Sequence, residues 1–189
     1  MALESINTLA AVATFLVIAA TAAAAMIQLR HIRHGNELQT IMALRTLRDS
    51  PLIEEAFNFV AHDLEGRMKD PAFRRELEAT APPLRGVHKE LVLCDYFEHV
   101  GSYVKYGLIS AELYLDFANP ERYWNLCAEA LALYRRHRGS QAYENFEYLV
   151  VLSQDWDRRH AGGNYPKGVR RLALPHADAE ATGTKKERR

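Results

Sequence analysis

Sixteen residues, "CDYFEHVGSYVKYGLI" from Cys94 to Ile109, gather a thiol, an imidazole, two carboxylates, three phenols and an ammonium. A carboxylate beside a histidine can move protons or hold a metal ion. On a helix, Asp95 and His99 lie four residues apart, as do Glu98 and Ser102, so each pair can meet along the surface. Chemistry would need further polar groups converging from other helices, with Glu98, His99 and His88 as the side chains to start from. Asp95, Glu98, His99, Ser102 and Lys105 all avoid the apolar stripe of Phe97, Val100 and Val104, as on an ordinary amphipathic helix. Gly101 sits beside that stripe, where the missing side chain permits close approach of a second helix. Tyr96, Tyr103 and Tyr106 suit the borders of the buried face, ring inward and hydroxyl outward.

Sharper catalytic signatures are absent from the sequence. A di-iron bundle needs Glu-x-x-His on two helices, and none of the eight histidines has Glu three residues earlier. The sequence has no His-Glu-x-x-His, no Walker glycine loop and no Gly-x-Ser-x-Gly elbow. His31 and His34 are spaced to share a metal, but their neighbours Arg30 and Arg33 favour a place among phosphate headgroups. Cys94 and Cys127 are far apart in sequence and each occupies an apolar position, so they read as buried free thiols. Formal net charge is zero, without the basic excess of a dedicated nucleic-acid binder. We therefore assign no catalytic, cofactor-binding or metal-binding residues, and the sequence favours a role that is not enzymatic.

The N-terminal segment is more informative. From Ser5 to Leu29 no residue is charged, and 25 residues of helix span about 37 Å, against about 30 Å of hydrocarbon. Leu9, Val12, Phe15, Leu16, Val17 and Ile18 supply most of the apolar character. A signal peptide cleaved near Ala25 competes with a permanent anchor, but "MALES" lacks the positive n-region such peptides carry. Arg30, Arg33, Arg45 and Arg48 follow the span and no Lys or Arg precedes it. They act as topology determinants, predicting a single pass through the plasma (inner) membrane with the N-terminus outside and the remainder cytoplasmic. Ala19 and Ala23, and Ala20 and Ala24, form small-xxx-small pairs where two such helices can pack.

Beyond the span the chain reads as all-α. Residues 1–29 form a short N-terminus and the transmembrane helix, 30–49 a juxtamembrane stalk, 50–160 a cytoplasmic multi-helix bundle and 161–189 a disordered basic tail. Leu38, Ile41, Leu44 and Leu47 stripe the stalk. Ser50-Pro51, Asp70-Pro71 and Asn119-Pro120 each set a capping side chain before a proline at a helix start. Ile53, Phe57, Val60, Leu64 and Met68 form one helical face. Phe73 and Leu77 belong to a short helix. A longer one from His88 presents Leu93, Phe97, Val100, Val104 and Leu108, with Gly107 helping to stop it. Ser110 caps a short segment with Leu113 and Phe117 as its apolar residues. Trp124, Cys127, Leu131 and Tyr134 stripe the next helix, and Tyr143, Phe146, Val150 and Trp156 the last. The tail has seven Lys or Arg against three acidic residues, with glycine and proline breaks and no sustained stripe.

The anchor leading into "LRHIRHGNELQTIMALRTLRDSPLIEEAFNFV", then "DPAFRREL", "CDYFEHVGSYVKYGLISAELYLDF" and "YENFEYL", resembles a family of short bacterial proteins of unknown function. The blocks cover roughly residues 20 to 150, and "EHVGSYVKYGLIS" is the most distinctive. The resemblance implies a membrane-tethered helical module and supplies no activity or catalytic residue.

The expected function is a membrane-anchored interaction or scaffold module. Its partners are the lipid bilayer and an unidentified protein or a second copy of this chain, with no nucleic acid and no cofactor. Eight of nine tyrosines fall between Tyr96 and Tyr148, and an exposed part of that cluster is the candidate patch, unless the rings fill the core. The alternatives are a metal-dependent enzyme or sensor in a bundle cleft, or a secreted helical protein if the N-terminal segment is cleaved.

Overall fold

The computed structural model describes residues 2–172 and is all-α, with eight helices and no strand among those residues. Helix α1 (Ala2–Arg48) is continuous for 47 residues, about 70 Å, through the glycine at position 35. Its stretch from Val12 onward is long and apolar enough to cross a membrane, and none of that apolar window is buried in the protein. Phe15, for example, is 70% exposed. Only the far end docks, through buried Leu44 and half-buried Ile41, while Leu38 and Leu47 stay exposed.

The bundle follows as α2 (Pro51–His62), α3 (Leu64–Arg67), α4 (Pro71–Glu78), α5 (Lys89–Lys105), α6 (Ala111–Leu115), α7 (Pro120–Arg138) and α8 (Glu144–Arg159). Helix starts follow local chemistry. Asp70 accepts from Ala72 N at 2.8 Å, Asn119 from Arg122 N at 3.0 Å and Ser110 from Leu113 N at 3.2 Å. Ser50 departs from the expected cap: its hydroxyl donates to Leu47 O at 2.6 Å. Only Asp49 and Ser50 separate α1 from α2, so the Leu47 carbonyl in the last turn of α1, which also accepts from Ser50 N at 3.1 Å, captures the hydroxyl. The stripe from Ile53 to Met68 is buried as expected except for half-buried Phe57, but Asp63 divides it between α2 and α3.

Helix α5 is central, packed chiefly on α8 and α2. Burial of Glu90, Leu91, Val92, Leu93 and Cys94 in succession shows that its first turns are surrounded on all sides. Around it the rings interlock: Phe97 stacks on Phe146 at 4.7 Å, and Phe57 meets Tyr123 edge-on at 4.8 Å. Most of the tyrosine cluster serves this interior. Tyr96, Tyr114 and Tyr143 are buried, and Tyr106 and Tyr148 are its exposed members.

Two expected faces are corrected. Leu108 is 53% exposed, because α5 ends at Lys105 and Gly107, with φ +67°, turns the chain away. In α6 the buried residues are Tyr114 and Leu115, whereas Leu113 and Phe117 face outward. A five-residue helix is too short for periodicity to identify its inner side. Residues 161–172 contain turns but no helix and are exposed. The rest of the tail expected to be disordered, 173–189, lies outside the described residues.

Candidate functional site

The polar residues of the sixteen-residue stretch find their partners across the bundle instead of along α5. Glu98 does not pair with Ser102; its carboxylate caps α8. One oxygen accepts from Phe146 N at 2.9 Å and the other from the Asn145 side chain at 2.7 Å. The first turn of any helix exposes unpaired N–H groups and partial positive charge, which a carboxylate satisfies. Lys105 joins from the same face, donating to Asn145 Oδ1 at 3.1 Å with Glu144 at 3.8 Å. At Gly101, between them, a Cβ would lie 2.0 Å from Asn145 O and 2.5 Å from its carbonyl carbon. The two quoted blocks "EHVGSYVK" and "YENF" are thus the two halves of one clamp.

Asp95 likewise reaches outward rather than to His99. It accepts from the Tyr143 hydroxyl at 2.9 Å and pairs with Arg85 Nε at 3.0 Å. Burial raises the Asp95 carboxyl above its ordinary range despite the opposing Arg85 charge and Tyr143 hydrogen bond. Burial, followed by the Asp95 charge, pushes the Tyr143 hydroxyl far up, which keeps it a donor. Tyr143 sits at φ +61°, an uncommon place for a bulky residue. Arg135 holds it there, with Nε donating to Ala142 O at 2.9 Å and Nη2 to Tyr143 O at 3.4 Å.

A second polar cluster forms around His88, with Glu76 and Glu90 in place of the Glu98 and His99 expected beside it. His88 and Glu90 are both fully buried. His88 Nδ1 lies 2.7 Å from Glu90 Oε1 and Nε2 lies 3.0 Å from Glu76 Oε2, so α4 and α5 are joined through one ring. The ring packs on Phe73 with centroids 4.2 Å apart. Burial lowers the affinity of the imidazole for its proton, but the two carboxylates outweigh that and raise its pKa above 6.5. The ring therefore holds its proton more tightly than a free imidazole does, between two carboxyl groups. Glu90 Oε2 is buried with no hydrogen-bond partner in the chain. The spacing of two between His88 and Glu90 gave no signal, and Glu76 is twelve residues away on another helix. The capping of α8 by Glu98 takes that residue elsewhere, and His99 is exposed, so the three do not converge. Among the described residues no three His, Cys, Asp or Glu side chains are grouped to hold a metal ion.

Cys94 and Cys127 are fully buried free thiols that meet between α5 and α7. Burial first, then the neighbouring thiol, raises the Cys94 pKa well above its ordinary value. Such a thiol is a poor nucleophile. A thiol-specific disulfide reagent is expected to label neither cysteine in the folded protein and both in urea. Labelling under native conditions would show that the α5–α7 contact opens.

Of the arginines behind the apolar segment, Arg45 and Arg48 pair with Asp49 at 4.0 and 3.5 Å, and Arg48 also covers the Phe57 ring at 4.7 Å. Arg30 and Arg33 take no ion-pair partner among the described residues. Ala19, Ala20, Ala23 and Ala24 are exposed on α1. His88 and the two thiols are buried inside the bundle, whereas the clamp reaches the surface through Lys105 and Glu144. A family model described as a domain of unknown function, DUF4760, matches residues 11–156, from within α1 to Trp156 on α8. No curated protein and no solved structure matches the chain.

Proposed function

The chain belongs to the DUF4760 family of domains of unknown function, and from the geometry above we propose that it is a membrane-anchored interaction module. α1 crosses the plasma (inner) membrane once, with its N-terminus outside and the bundle in the cytoplasm. The observation that carries this reading is the split character of α1. Its apolar part, with Phe15, Leu16, Val17 and Ile18 all more than 60% exposed, has no protein against it, while its last turns dock on the bundle. Side chains of this kind gain roughly 1.5–3 kcal/mol each when removed from water, and lipid is the solvent that does so. Arg30, Arg33, Arg45 and Arg48 support the orientation. The bundle presents mixed charge outside, which suits binding a protein, and the alanine faces of α1 suit a second copy of the chain.

The test is made in intact bacterial cells. The full-length chain should remain in membranes washed with alkaline carbonate, a reporter fused after Arg189 should be active in the cytosol, and crosslinking should trap a defined partner or a dimer. Release by carbonate would overturn the anchor, and a reporter active outside the cytosol would overturn the orientation. Recovery of nothing but uncrosslinked monomer would overturn the interaction role.

A further inference from the structure

Helix α5 runs antiparallel to the docked part of α1. Tyr96 shares a cleft with Leu44 and Arg48, Tyr103 lies beside Thr40 and Ala43, and the turn from Tyr106 to Ser110 lies beside Arg30 to Thr40. Glu37 Oε1 accepts from Ser110 N at 2.7 Å and fixes that alignment. The turn after α5 is thereby carried back towards the apolar half of α1. Between them lies a cleft of about 880 Å³, walled by Arg30, Arg33 and His34 on one side and by Tyr106 and Leu108 on the other.

The level of this cleft follows from the sequence. Arg30 is the first charge after the apolar stretch, and Arg30 to His34 covers about 6 Å of helix, within the roughly 5–8 Å of one headgroup layer. Two guanidiniums without ion-pair partners among the described residues face it, and the planar fork of arginine matches phosphate oxygens. The nearby carboxylate, Glu37, is engaged with Ser110 N. Tyr106, 75% exposed, and Leu108, 53% exposed, are the kind of side chains that settle at a bilayer interface.

We propose that this cleft seats the phosphate of an anionic phospholipid from the leaflet next to the bundle. The proposal rests on α1 spanning the membrane. The bound headgroup bridges α1 and the α5–α6 turn, so the bundle is held against the bilayer at two points rather than trailing from one.

The full-length chain is reconstituted in vesicles of phosphatidylcholine with or without phosphatidylglycerol, floated on a density gradient, and analysed by native mass spectrometry for retained lipid. Wild type should float with both vesicles and retain phosphatidylglycerol preferentially. The R30Q/R33Q variant should still float but lose that preference about tenfold, as for loss of one charge-assisted hydrogen bond. R45Q/R48Q removes the same charge outside the cleft and should retain it. Failure of wild type to float would overturn the anchor itself. Floating without lipid preference, equal loss in both arginine pairs, or displacement of the lipid by inorganic phosphate would overturn the headgroup site while leaving the anchor standing.

Discussion

Replacing Gly101 by alanine should lower the stability of the bundle by about 3 kcal/mol or more, although alanine is the better helix former by about 1 kcal/mol. The added Cβ would sit 2.0 Å from Asn145 O, and both close atoms belong to backbone that no rotamer change can move. Relief requires the start of α8 to withdraw by roughly 1.5 Å to reach ordinary contact. That movement pulls Phe146 N and the Asn145 amide from Glu98, at 2.9 and 2.7 Å, so steric strain and loss of the carboxylate cap arrive together. Such a loss is a large fraction of an ordinary domain's stability. Urea unfolding of the detergent-solubilised chain, followed by the fluorescence of Trp124, which packs edge-on to Phe146 at 5.0 Å, reads the effect. Gly35→Ala is the control, since nothing lies within 4 Å of a Cβ there. It should be neutral or slightly stabilising. Equal stability of wild type and Gly101→Ala would mean that α5 and α8 do not approach this closely.

The second large effect concerns the buried histidine, His88. His88→Leu strands the Glu90 carboxylate in the interior, and Glu90→Leu leaves His88 with Glu76 alone. Each should cost about 3–5 kcal/mol, the usual result of breaking one side of a buried pair. Replacing both residues by leucine should restore much of the loss, because neither charge then remains buried unpaired. The pH dependence has a definite sign. The folded protein holds the His88 proton more tightly than the unfolded chain, so it is the protonated form that favours folding. This contribution is complete below about pH 6.5 and is lost as pH rises through the higher folded-state pKa. The urea midpoint of wild type should therefore fall from mildly acidic to mildly alkaline solution, and that of H88L/E90L should stay flat across the same interval. A midpoint for wild type that rises with pH would contradict a stabilising imidazolium.

How far the chain could be read in advance depended on the range of the interactions involved. Starts at Asp70, Ser110 and Asn119 were legible because a cap bonds to an amide two or three residues away. The stripes of α2, α5, α7 and α8 were legible because each helix except the shortest repeats its inner face several times. Asp95 and Glu98 were visible as polar positions, but not as partners of Tyr143, Asn145 and Phe146, which lie some 47 residues away and meet them only after α8 docks. Cys94 and Cys127 were legible as interior thiols and not as neighbours. His88 and Glu90 were the hardest, because burying two charged side chains runs against composition and is possible only when tertiary structure brings Glu76 to the far side of the ring. Ser50 shows the converse: a local motif was present, and a competing carbonyl from α1 took its hydroxyl.

An uninterrupted helix from Ala2 to Arg48 leaves no swivel between its bare half and the end that docks on the bundle through Leu44 and Ile41. Torque applied to the bare half has to pass down the same rod, so twisting one end by some angle obliges the globular end to swing with it. A crank of that sort can report what happens at one extremity to the other without any hinge, and a proline placed near position 35 would uncouple them.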